Sequence, residues 1–219
     1  MSEADEAVEA LRQQGYSKVL AVAGDVADRA ACFNLVQQSL AHWGKVDILV
    51  NNAGVSAIDA SENLSAEQWQ RTIDVNLSGS FYCAQAAGKL AMIPQKSGNI
   101  IMISSMLGNT GLQRRAAYCA TKHAVIGLTK VLAVEWARHN IRVNALCPGY
   151  IMTPMEEQDA ANTLSDYTAE DIKRRTPLGR YGTPEEQARA CVWLASGDSS
   201  YNTGTILPSD GGWLAYGGW

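Results

Sequence analysis

Short apolar runs alternate with helix-forming stretches along nearly the whole chain, and this alternation limits the folds open to it. Val46 to Val50, Asn99 to Ile103, Arg142 to Leu146 and Thr205 to Leu207 are each too short for a helix and apolar enough for a buried strand. A further run, Val19 to Ala23 in KVLAVAGDV, is also expected to be a strand. Helical stretches lie between them. Ala4, Val8 and Leu11 form a stripe stopped by Gly15, and Asp28 caps a helix running to about Trp43. Helices are expected from about Ala66, from Ser78 to Ile93 and from Ala117 to His139. Another starts at Thr183, with proline in its first position. Continuously apolar strands separated by helices imply an α/β fold, a Rossmann-like doubly wound parallel sheet covered on both faces. There is no internal repeat or linker, so residues 1–219 are expected to form one domain. The polar stretch 154–175 is expected to be a substrate lid.

The charge balance argues against several function classes. Eighteen basic residues face 22 acidic ones, for a net charge of -4, and no Lys/Arg block suggests a nucleic-acid surface. The acidic opening MSEADEAVEA lacks the order of a signal peptide, and charges such as Lys130 and Glu135 interrupt the longest apolar stretches, so no membrane span is expected. Five cysteines without metal-like spacing favour reduced thiols, a cytoplasmic location and no metal site.

Chemistry concentrates at the ends of the expected strands, where open parallel sheets bind ligands. Tyr118 and Lys122 in YCATK are four residues apart on one helix face, where an ammonium favours the phenolate and suits the tyrosine to proton transfer. A boundary tyrosine with a solvated lysine would read the same. Ser104 and Ser105 follow the strand NIIMI, where a hydroxyl can reach a reacting oxygen or simply end the strand in a turn. Asn51, Asn52, Ala53 and Gly54 suit a tight turn. Asn76 in DVNLSG is a polar residue able to hold a helix bend.

The ordered set GDV, NNAG, DVNLSG, ISS, YCATK, RVNALCPGYIMTPM and DGG resembles the short-chain dehydrogenase/reductase family over almost the entire chain. Tyr118 follows Ser105 by 13 residues, the family's spacing, which selects Ser105 over Ser104. The resemblance implies that Tyr118 is the general acid/base and that Lys122 assists it and holds the nicotinamide ribose. It makes Ser105 the group that polarises the substrate oxygen, and it has Asn76 position a relay water. Asn52, Ala53 and Gly54 would lie along the cofactor, and Asp25 and Val26 would contact adenine. Pro148, Gly149, Ile151 and Thr153 would grip the nicotinamide end, and Met106, Gly149 and Tyr150 would line the substrate site. The implied reaction is hydride transfer between NAD or NADP and a secondary alcohol or ketone. The polar composition of 154–175 leans toward a sugar or polyol. A homodimer or homotetramer is implied, using the helix bearing Val125, Leu128, Val131, Leu132 and Trp136. The tail WLAYGGW would either pack on a neighbouring subunit or fray.

The chain departs from the family in one respect. Neither TGxxxGxG nor GxGxxG opens a helix after a strand, so KVLAVAGDV matches the family's third strand and the first two strands are expected to be absent. In the order 3-2-1-4-5-6 that loss leaves a gap of about 14 Å between strands three and four, three spacings of roughly 4.8 Å. Either the sequence is a fragment of an ordinary enzyme, or Val19 to Ala23 moves beside Ile48 to Val50. The residue that selects NAD or NADP ends the second strand, so the preference cannot be read. The alternative function is that of a truncated or cofactor-impaired relative, a non-catalytic oligomeric protein.

Overall fold

The computed structural model describes residues 3–161 and 167–217. Four parallel strands form its sheet: β1 (Ile48–Asn51), β2 (Gly98–Ile103), β3 (Ile141–Pro148) and β4 (Ile206–Ser209), in the order β1-β2-β3-β4. Ile48 sits opposite Asn99, Gly98 opposite Ile141, and Ala145 opposite Ile206. The Rossmann-like architecture expected from the alternation is present.

Alternate residues of the central strands point to opposite faces, as a pleated strand requires. Ile100, Met102, Val143 and Ala145 pack with Ala84 and Ala87 of α4 (Ser80–Ala87) and with Val125, Leu132 and Ala133 of α6 (Ala116–Trp136). Ile101 and Leu146 face the other way, onto Leu194 of α9 (Pro184–Ala195). Removing this much aliphatic surface from water on both faces is the main stabilising term.

Helix ends follow local chemistry. The Asp28 carboxylate accepts from the backbone N–H groups of Ala30 and Ala31 at the start of α2 (Arg29–Trp43), and Gly44, at φ 75°, closes it. The Thr183 side chain accepts from the N–H of Glu186, whose side chain accepts in turn from the N–H of Thr183, before Pro184 opens α9. α1 (Glu3–Gln13) ends just before Gly15, as its stripe predicts. The two helices expected on either side of Asn76 form one helical path. α3 (Ala66–Ile73) passes through a π turn, Asp74–Gly79, into α4, and a second π turn, Gly88–Met92, leads to α5 (Ile93–Gln95).

The expectation of a strand at Val19 to Ala23 is not met. Those residues are extended, but they pair with no strand among the described residues, and they do not move beside Ile48 to Val50. The sheet therefore ends at β1, where Ile48 and Val50 remain 47% and 43% exposed. A β-prone sequence becomes a strand only where a neighbour accepts its N–H and C=O groups. Of the expected lid, α7 (Pro154–Ala161) and α8 (Ala169–Arg175) are described, while 162–166 lie outside the described residues.

Candidate active site

The C-terminal ends of β1, β2 and β3 open onto a cavity of about 740 Å³. Asn52, Ala53 and Gly54 line it after β1, and Ser105 and Met106 after β2. Pro148, Gly149, Tyr150, Ile151 and Thr153 enter after β3, and Tyr118 and Lys122 from α6. Twelve residues chosen from four separated segments of sequence thus share one space. Asn76, Asp25 and Val26 are not part of its lining.

Each central side chain has an identifiable support. Lys122 is 4% exposed, its Nζ donates to the Ile103 carbonyl at 2.8 Å, and it stands 5.5 Å from the centre of the Tyr118 ring. Burial lowers its pKa to about 8, because a desolvated ammonium is disfavoured. The Ser105 hydroxyl accepts from the Leu107 N–H at 3.1 Å, which leaves its own proton and a lone pair for a ligand. The neighbouring Ser104 hydroxyl donates to the Lys122 carbonyl at 2.9 Å and so ties α6 to β2. Both serines line the cavity, but the Ser104 proton is committed to the fold while the Ser105 hydroxyl only accepts from Leu107.

Asn76 is fully buried in the π turn. Its Nδ2 donates to the Val55 carbonyl at 2.9 Å, and its Oδ1 accepts from the Val55 N–H at 2.8 Å. It thereby clamps the turn after β1 and also occupies the helix irregularity expected of it. Asp25 lies at the surface. It accepts from the Ala27 N–H at 3.0 Å and pairs with Arg71 at 2.8 Å, and these contacts hold its pKa below the usual carboxylate range. Val26 accepts from the Cys32 thiol at 3.2 Å.

Ser56, Arg115 and Gln187 of the cavity escaped sequence reasoning, and Glu156 and Tyr167 lie in the expected lid without having been singled out. Only Arg115 had a readable signal, its position three residues before Tyr118. Tyr150 forms edge-on contacts with Tyr167, Tyr181 and Trp213 at ring separations of 5.9, 6.2 and 5.0 Å. Burial first, and then the neighbouring Tyr167 and Glu156, raise the Tyr150 pKa, while burial and Glu156 raise that of Tyr181 to about 12. Arg175 lies over the rings of Trp213 and Tyr216, so these tail aromatics pack within their own chain.

The site has the layout of a nucleotide-dependent oxidoreductase, and similarity to known proteins agrees. The chain belongs to the short-chain dehydrogenase/reductase family: a family profile described as enoyl-(acyl carrier protein) reductase matches residues 1–214. It is 44% identical to galactitol 2-dehydrogenase of Rhizobium johnstonii, over 98% of this chain and 83% of that one. It is 38% identical to 2-dehydro-3-deoxy-D-gluconate 5-dehydrogenase of Dickeya dadantii, over 90% of this chain and 77% of the other. The crystal structure of a Burkholderia cenocepacia gluconate 5-dehydrogenase in complex with NADP and tartrate superposes with a TM-score of 0.89. That pair is 34% identical over 96% of this chain and 81% of the other. The protein is an NAD(P)-dependent oxidoreductase acting on alcohols or ketones.

The nicotinamide half of such a cofactor fits the residues present. A Cβ added to Gly54 would lie 3.5 Å from Asn76 Oδ1 and 3.6 Å from Lys122 Nζ, so glycine keeps clear the space between the β1 turn and the lysine. At Gly149 a Cβ would come within 2.6 Å of the Asp210 Cα, so only glycine lets the β3 loop lie against the β4 turn. For the pyrophosphate, the described residues hold no glycine-rich turn between a strand end and a helix N-terminus.

Proposed function

We propose that this chain interconverts a secondary alcohol and a ketone on a sugar or polyol, with Ser105, Tyr118 and Lys122 as its catalytic residues. The convergence of these three side chains on one cavity at the strand ends carries the reading. Ser105 donates a hydrogen bond to the substrate oxygen. Tyr118 passes a proton to that oxygen in reduction and takes one from it in oxidation. The Lys122 ammonium, close to the phenol ring, stabilises the charge that develops on the phenolic oxygen. Asn76 is a positioning residue that holds the turn at Val55. NAD or NADP supplies the hydride exchange when bound, along Asn52, Ala53, Gly54, Pro148, Gly149, Ile151 and Thr153, with Asp25 and Val26 toward adenine. Met106, Gly149 and Tyr150 form the substrate wall. The described parts of 154–175 cover it, a reading supported by Pro154, Met155, Glu156 and Tyr167 in the lining. The decisive assay offers the purified chain NAD and NADP with a panel of polyols and sugar acids. Cofactor reduction that Tyr118→Phe abolishes is the expected result, and turnover that survives this change sinks the assignment.

A second reading, a relative impaired in cofactor binding, draws on the unpaired Val19 to Ala23 and on the missing phosphate turn among the described residues. Titration with NADH, followed by energy transfer from the tryptophans, separates the two. Micromolar affinity overturns impairment. We further propose a cytoplasmic homo-oligomer. Val131 and Val134 on α6 are 52% and 80% exposed, an apolar stripe suited to pairing, and all five cysteines are free thiols. No described helix is long and apolar enough to cross a membrane. Light scattering that shows only monomer at micromolar concentration removes the oligomer.

A further inference from the structure

The proton relay needs a hydroxyl, a phenol and a lysine, so the side chains around them decide which substrate fits. Much of that surrounding wall is hydrocarbon. Met106 follows Ser105 directly, lines the cavity and is 2% exposed. Leu112, from the same turn after β2, and Met155 of α7 line it as well. Tyr150, after β3, adds an aromatic face, and its edge-on contacts with Tyr167, Tyr181 and Trp213 hold the ring in place. These four side chains come from three separate elements, so the apolar wall is a property of the site and not of one helix.

The polar side chains of this wall are already engaged. The Arg115 guanidinium donates to the Ser56 hydroxyl at 2.6 Å and to the Tyr167 hydroxyl at 3.4 Å. Glu156 and Tyr167 also interact with other groups of the protein. A ligand hydroxyl placed against them has to displace a contact already made. One placed against Met106, Leu112 or Met155 meets at best a weak thioether acceptor. A buried hydroxyl without a partner loses about tenfold in affinity, whereas a methyl group in the same place gains from leaving water.

We infer that the preferred substrate is a deoxy polyol or deoxy sugar, with a methyl group beside the reacting carbon where an ordinary sugar carries a hydroxymethyl group. This rests on the reading of the cavity as the oxidoreductase site. Ser105 and Tyr118 hold the oxygen of the reacting carbon, the methyl group packs on Met106, Leu112 and Met155, and the remaining hydroxyls lie away from this wall. In oxidation the O–H proton passes to Tyr118 and the C–H hydride to the nicotinamide, so the secondary alcohol becomes a methyl ketone.

Galactitol and fucitol test the assignment, because fucitol is galactitol with one terminal hydroxyl removed. Calorimetry compares galactitol with each enantiomer of fucitol, on the protein alone and with NADPH, which cannot oxidise either alcohol. The better fucitol enantiomer is expected to bind about tenfold more tightly than galactitol. Leu112→Asn and Met155→Gln are each expected to narrow that preference. Met155 is 38% exposed, so its replacement leaves the core intact should Leu112→Asn fail to fold. Equal affinities, no binding of either alcohol, or a preference undiminished in Met155→Gln overturns the proposal. Turnover of the same alcohols with NAD and NADP is read separately. No turnover, with the fucitol preference kept in calorimetry, removes the dehydrogenase reading and leaves the apolar wall standing.

Discussion

The ends of β1 to β3 and the stretch from Tyr16 to Asp28 both carry apolar runs and family-like motifs, yet they are built differently. At the strand ends, Ser104, Asn76 and Lys122 each have backbone partners that tie one element to the next. Around Val19 to Ala23 the backbone is extended and pairs with no strand among the described residues, and Ala21, Ala23, Gly24 and Asp25 are exposed. The difference shows that a motif gains a defined geometry from the elements packed behind it. The proposed catalytic groups rest on α6 and the end of β2, both packed in the core. Asp25 rests on one turn and a surface ion pair with Arg71.

The largest effect expected on this comparison is at Tyr118. Tyr118→Phe should lower kcat by about a thousandfold while the melting temperature stays put, since one hydroxyl leaves and the ring remains. Steady-state rates and a thermal melt check both halves.

Core truncation comes next. Ile101→Ala, between β2 and α9, should cost about 2–5 kcal/mol in a denaturant titration. Val22→Ala, in the unpaired stretch, should change stability by about 0.5 kcal/mol or less. A Val22 effect as large as that of Ile101 would mean that the stretch is packed as tightly as the sheet.

Lys122 gives a subtler readout. Its folded pKa is about 8 and its unfolded value about 10.4, so between those values the unfolded chain binds more protons. The lysine therefore subtracts stability below pH 8, and the loss is relieved as pH rises through that window. Lys122→Met removes the contribution, so its stability curve should lose the relative rise seen in the unaltered protein. Parallel curves from pH 7 to 10 would show that the ammonium is better solvated than its burial implies.

The smallest effect belongs to Asp25. Asp25→Asn should leave the melting temperature within experimental error, because a solvated pair with Arg71 contributes little. A clear drop would promote this turn from a surface feature to a structural one.

Much of this was readable beforehand because it is local or periodic. The Asp28 and Thr183 caps, the stops at Gly15 and Gly44 and the four paired strands depend on chemistry within a few residues. The interval between Ser105 and Tyr118 selected Ser105 over Ser104, whose hydroxyl is tied to the Lys122 carbonyl. Asn76 was recognisable as a polar residue at a helix irregularity, but its grip on Val55 was not, since the partner lies 21 residues away. Arg115 went unnoticed, and Glu156 and Tyr167 were not singled out within the expected lid, because charged and aromatic residues in polar stretches usually face solvent. Only the packing of α6 against the loops after β1 and β3 turns them inward.

The sequence by itself determined where helices start and stop, which runs are apolar enough to be strands, and which serine, tyrosine and lysine share a spacing. These follow from hydrogen bonds and side-chain periodicity along a few turns of chain. The tertiary structure alone decided that Val19 to Ala23 pairs with no strand and that the sheet ends at β1 among the described residues, and that Arg115 is buried in the cavity wall. Each of those outcomes depends on what lies across space from a residue: a strand needs a partner's hydrogen bonds, and a charge is buried only where distant segments close over it.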